Sequence, residues 1–74
     1  RKLMVEALRR DGYDVLAVDD GDAALSALEG AQPPAVVVSD VVLPHMTGFE
    51  LEARIHERLP DTPVLFVSGY GDAM

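Results

Sequence analysis

Ala35-Val36-Val37-Val38-Ser39-Asp40 lies at the middle of the 74-residue chain, and its character sets the reading of everything around it. Three consecutive β-branched residues with no polar alternation predict a strand covered on both faces. The run finishes on Ser39-Asp40. Two further apolar runs flank it, Val15-Leu16-Ala17-Val18 and Val64-Leu65-Phe66-Val67. Each gives way at once to polar or turn-forming residues, Asp19-Asp20-Gly21 in the first case and Ser68-Gly69-Tyr70-Gly71-Asp72 in the second.

Helical patterns occupy the intervals. Leu3, Met4, Ala7 and Leu8 share one face of a helix over residues 2–10, Arg9 and Arg10 suit its negative end, and Gly12 is its stop. Asp22 is placed to cap a second helix over residues 23–29, with Ala24, Leu25 and Leu28 on one side and Gly30 and Pro33-Pro34 ending it. Residues 41–46 read as a loop. Thr47-Gly48-Phe49-Glu50 then reads as a capping box opening a third helix, in which Leu51, Ile55 and Leu59 recur every four residues until Pro60. The order helix, strand, helix, strand, helix, strand predicts an α/β fold with a parallel sheet and helices on both faces. Loops leaving the carboxyl ends of such strands build the site. Here they are residues 19–21, 41–46 and 68–72.

Composition narrows the function. Thirteen acidic and six basic residues give a formal charge of −7, which disfavours direct contact with nucleic acid. No apolar run approaches the roughly 20 residues needed to span a bilayer, so membrane insertion is not expected. Cysteine is absent, which excludes disulfides and thiolate metal sites. The chain opens on Arg1-Lys2 and an amphipathic stretch, which reads as a piece of a longer protein without a signal peptide.

Asp40 is the leading candidate for chemistry. A carboxylate at the lip of a buried parallel sheet is placed to attack a phosphoryl group and form an acyl phosphate. An Asx-turn or loop cap explains the same position, and position alone leaves both open. Ser68 ends the next apolar run. If the two strands are parallel neighbours, their ends lie about 5 Å apart and its hydroxyl is placed to donate to a phosphoryl oxygen on Asp40. His45 reads as a loop residue, His56 as a solvated helix residue and Met46 as packing beneath the loop. Neither histidine has a second ligand at metal-binding spacing.

Asp40-Val41-Val42-Leu43-Pro44-His45-Met46-Thr47-Gly48 resembles the signature of two-component receiver domains. The likeness extends through Phe49-Glu50-Leu51, through Pro63 to Tyr70, and upstream through Gly12-Tyr13-Asp14-Val15 and Asp20-Gly21-Asp22-Ala23-Ala24-Leu25. Phe66-Val67-Ser68-Gly69-Tyr70 is similar to receivers of hybrid sensor histidine kinases. The resemblance implies a flavodoxin-like, doubly wound parallel sheet, with residues 1–74 forming a partial receiver from its first helix through its fourth strand. It implies Asp40 as phosphoacceptor, Ser68 as switch hydroxyl, and a Mg²⁺ bound by Asp40 and the backbone carbonyl of Val42. Pro44 and Gly48 match residues that shape the loop.

Two parts of the family's site have no counterpart in the sequence. The acidic pair that holds the metal belongs to a strand preceding the first helix, and Lys2 does not stand where the family's phosphate-binding lysine stands. Asp19-Asp20 is not expected to substitute: in the strand order 2-1-3-4-5 its strand lies about 10 Å from that of Asp40, leaving these acids as loop and helix-capping residues. Too few oxygens then remain for a tight divalent site, and the 74 residues alone are expected to be weakly reactive, marginally stable or oligomeric.

The resulting expectation is a phosphoprotein of a two-component phosphorelay in the cytoplasm, whose only enzymic content is Mg²⁺-dependent phosphotransfer to itself. Its partners would be a histidine kinase or phosphotransfer protein, an output domain, and a second copy in a homodimer. A degenerate receiver that docks without phosphotransfer is the alternative. A phosphohydrolase of the haloacid-dehalogenase type is disfavoured, because that chemistry needs a second Asp where this chain has Val42.

Overall fold

The computed structural model describes residues 2–29 and 32–67. They form α1 (Lys2–Arg10), β1 (Val15–Val18), α2 (Gly21–Leu28), β2 (Val36–Asp40), β3 (Val42–Leu43), β4 (Met46–Thr47), α3 (Gly48–Arg58) and β5 (Val64–Val67).

Local chemistry accounts for the helix ends. At the end of α1, the Gly12 amide donates to the Arg9 carbonyl at 3.0 Å and the Tyr13 amide to the Leu8 carbonyl at 3.1 Å. This is the Schellman pattern, and it requires Gly12 in the left-handed region, at φ 96°. Helix α2 is capped by Asp20, one of whose carboxylate oxygens accepts from the amides of Asp22 at 2.9 Å and Ala23 at 3.2 Å. The expected cap at Asp22 is therefore displaced by two residues, and Asp22 sits in the first turn instead. The capping box of α3 forms as the sequence indicates: the Glu50 amide donates to the Thr47 hydroxyl at 3.1 Å, and the Thr47 amide to the Glu50 carboxylate at 3.4 Å.

Three parallel strands make the main sheet, in the order β1-β2-β5. The central strand β2 pairs with β1 from Val15↔Val36 to Val18↔Ser39, and with β5 from Val37↔Val64 to Asp40↔Val67. The alternation of β2 divides its side chains between two cores. Val37 packs with Val18, Ala24, Leu43, Leu51 and Ile55 beneath α2 and α3. Val36 and Val38 pack with Val5 and Val15 beneath α1. Val37 and Val38 are both fully buried, as the unbroken apolar run requires.

Strand order corrects one expectation. Among the described residues β1 is not two places from β2; the two are hydrogen-bonded neighbours. The inner edge of β2 carries backbone groups that must be paired when buried, and β1 supplies the partners. The supposed loop 41–46 also holds structure, since β3 and β4 form a small antiparallel ribbon pairing Val42 with Thr47 and Leu43 with Met46.

Candidate functional site

Asp40 closes the central strand and is half-buried at its carboxyl end. Its backbone is held on every side. Ser39, fully buried, donates its hydroxyl to the Asp40 carbonyl at 2.8 Å. The Gly48 amide donates to the Val41 carbonyl at 2.6 Å, which folds the β3–β4 ribbon back against the end of β2. A Cβ at Gly48 would stand 2.5 Å from the Asp40 carbonyl oxygen and 2.9 Å from the Phe66 ring. Only a hydrogen fits there. Phe66 is itself fixed by Phe49, with ring centroids 4.8 Å apart at 54°.

The ribbon turns at Pro44-His45, where His45 takes φ 67°. Proline followed by a residue of positive φ is the type II pattern. His45 is exposed there and reads as a turn residue, while Met46 packs against the core under α2 and α3 and lies over Gly21 at the start of α2. The Asp40 loop and the first turn of α2 are thus in direct contact.

The neighbouring strand ends converge as the sequence suggests. Asp40 pairs with Val67, and Ser68 is the next residue in the chain. Ser68, Gly69 and Tyr70 lie outside the described residues. On the other side, Asp19 comes one step beyond the Val18↔Ser39 pair and so shares the carboxyl edge with Asp40. The exclusion of Asp19 on grounds of distance does not hold for this sheet, although Asp20 serves as a helix cap. Val42 is exposed, and its strand faces Thr47.

A divalent cation fits this donor set poorly. Among the described residues no group of three or more His, Asp or Glu side chains is arranged to hold a metal. Asp40 with the Val42 carbonyl falls well short of the six or so oxygens that Mg²⁺ takes. Nor does Asp40 line the groove of about 490 Å³ between α2 and α3, whose floor is Leu25, Leu28 and Ile55. The carboxylate belongs to the rim of the sheet, not to that seam.

His56 departs from its expected role. It is half-buried, and its Nε2 lies 2.8 Å from the Thr62 carbonyl, tying α3 to the turn before β5. Buried Ser39 was not singled out from the sequence either. A lone serine after three valines gives no sign that its hydroxyl turns back to its neighbour's carbonyl.

The model of the response regulator receiver domain matches residues 1–74. The chain belongs to that family. Receiver relatives include the response regulator receiver protein CpdR of Brucella abortus, 36% identical over 70 residues that cover 95% of this chain and 58% of that protein. The transcriptional regulatory protein TcrA of Mycobacterium tuberculosis is 41% identical over 69 residues, covering 93% of this chain and 27% of TcrA. The response regulator protein FleR of Pseudomonas aeruginosa is 37% identical over 71 residues, covering 96% of this chain and 15% of FleR. The receiver chain therefore spans less than two thirds of each of these relatives. No solved structure gives a significant match. Membership places the parallel sheet and its helices in the receiver class of α/β folds and in two-component signal transduction. Receivers as a class use Mg²⁺ and work with histidine kinases and output domains. No described helix is long and apolar enough to cross a membrane.

Proposed function

We propose that this chain is the phosphoacceptor module of a two-component phosphorelay and that Asp40 takes the phosphoryl group. The observation that carries this reading is the placement of Asp40 at the carboxyl end of the central strand, with Gly48 closed on its carbonyl and Ser68 following its register partner. A carboxylate oxygen of Asp40 attacks the phosphorus of a phosphohistidine. The new P–O bond forms as the P–N bond breaks, and the departing imidazole takes up a proton. The acyl phosphate adds charge at the junction of β2, the β3–β4 ribbon and β5; the hydroxyl of Ser68, next in sequence after Val67, is the group that donates to it in this reading and biases a two-state equilibrium. Asp40 and the Val42 carbonyl are the oxygens the resemblance assigns to a Mg²⁺, and the two alone are too few to hold it. The partners are a histidine kinase or phosphotransfer protein and an output domain. The compartment this chemistry calls for is the cytoplasm.

The docking alternative draws on one observation, the lack of a metal-holding cluster among the described residues. One experiment separates the two. The full-length protein is incubated with acetyl phosphate and Mg²⁺, and the modified residue is mapped by mass spectrometry. The expected result is a hydroxylamine-labile phosphate on Asp40 that disappears in Asp40→Asn. Phosphate on Ser68, or none at all while a phosphotransfer protein still binds, removes the phosphoacceptor reading.

A further inference from the structure

Strand β1 is the outer strand of the sheet, and among the described residues nothing pairs with its far side. The Asp14 carbonyl points toward β2, accepting from the Ala35 amide at 2.8 Å and the Val36 amide at 3.3 Å. Backbone groups alternate in direction along a strand, so Leu16 also faces β2 and the outward groups are those of Val15 and Ala17. The Val15 carbonyl accepts from the Arg9 guanidinium at 3.2 Å. Ala17 thus presents its N–H and C=O from the middle of a strand that has no charged residue and no proline of its own, while the Arg9 guanidinium covers the same edge at Val15.

Beside this edge runs a groove of about 260 Å³, walled by β1 on one side and by Ala23, Ala24 and Ala27 of α2 on the other. Methyl groups at those positions leave a space that larger side chains would close. Carboxylates stand at both ends of the edge: Asp14 precedes β1, and Asp19 and Asp20 follow it.

We propose that the β1 edge docks an extended segment of a partner protein. The segment adds as a fourth strand, seats an apolar side chain in the alanine-lined groove and carries a basic residue at each end. Strand addition takes its affinity from backbone hydrogen bonds and its selectivity from alternate side chains. Charge selects the partner. The chain is at −7, so a basic segment is favoured both at long range and at the two ends. A second copy is disfavoured, because antiparallel self-pairing about a two-fold axis at Ala17 sets Asp14 of each copy opposite Asp20 of the other. This surface is separate from Asp40, and the inference stands whether or not Asp40 is phosphorylated.

The test titrates the complete chain with a capped hexapeptide, Lys-Val-Thr-Val-Thr-Lys, following the Ala17 amide resonance. Saturable binding is expected, at least tenfold weaker when both lysines are replaced by glutamate. Arg9→Ala frees the Val15 carbonyl and should tighten binding about threefold to tenfold, the worth of one further hydrogen bond. Ala17→Pro removes an outward N–H that β2 does not use, so it should abolish binding without loss of the fold. Ala27→Leu, at an exposed helix position, fills the groove and gives a second reading if the proline variant does not fold. Equal affinity across these variants, or for the glutamate peptide, overturns the proposal. So does a dimer in sedimentation that Ala27→Leu dissociates in the absence of peptide.

Discussion

A single hydrogen at Gly48 decides how the Asp40 loop closes. The Gly48 amide bonds the Val41 carbonyl, and its α-carbon lies where any side chain would meet the Asp40 carbonyl and the Phe66 ring. Neither obstacle yields cheaply. The carbonyl belongs to the central strand, and the ring is held by Phe49. Gly48→Ala gains helix propensity in the first turn of α3, but it forces overpacking that typically costs about 1–3 kcal/mol. The expected outcome is a net loss of stability, read as a lower urea midpoint at unchanged slope, together with a displaced Asp40 amide resonance. An unchanged or raised midpoint would show that the loop relaxes away from the added methyl. Gly21 offers a contrast at the same scale. The obstacle there is the Met46 side chain, an unbranched thioether that yields more readily than backbone or a ring.

At the scale of elements, Thr47 joins two of them, ending β4 and capping α3. Thr47→Ala removes the acceptor for the Glu50 amide and should cost about 1 kcal/mol, within the usual range of roughly 0.5–2 for a lost cap. Glu50→Gln keeps the return bond to the Thr47 amide and should cost less. If the two variants lose equal stability in parallel urea titrations, the charge on Glu50 matters as much as the cap. The capping box was legible in the sequence because every atom it uses lies within four consecutive residues. The same locality explains the Schellman end of α1 and the three long strands, whose apolar runs carry their own signal. Two-residue strands carry none, so the β3–β4 ribbon read as a loop. The sequence offered both Asp22 and Asp20 as helix-capping acids, because the two are chemically equivalent and the glycine between them gives no sign that the helix has begun; the structure takes Asp20. At the site, the pairing of Asp40 with the end of β5 followed from strand ends alone, whereas the approach of Asp19 depended on which strand lies beside β2. That adjacency is set by the pairing of distant backbone groups, and no local pattern records it.

For the molecule as a whole, the sheet separates two apolar layers, and each of its three strands sends side chains into both. Leu51 and Ile55 are buried with Val37 under α2 and α3, and Val5 is buried with Val36 and Val38 under α1. Such an arrangement could unfold in two steps, the α1 layer first. The central strand argues against it. Val37 and Val38 are adjacent and fully buried on opposite faces, so exposing one layer strips a wall from the strand that supports the other. Cooperative, all-or-none unfolding is the norm for a domain of this size. Ile55→Ala should cost about 2–5 kcal/mol and Val5→Ala about 1–3 kcal/mol, figures comparable to the entire stability of a small domain. Each should lower the midpoint of one shared transition without changing its slope. The pair should be additive to within about 0.5 kcal/mol, because the two sites lie on opposite faces with no common neighbour in either layer. Far-ultraviolet circular dichroism reports all helices, while tyrosine fluorescence in a Tyr70→Phe background reports Tyr13, just after α1. If the two curves separate in Val5→Ala alone, the α1 layer is an independent unit, and the central strand does not couple the faces.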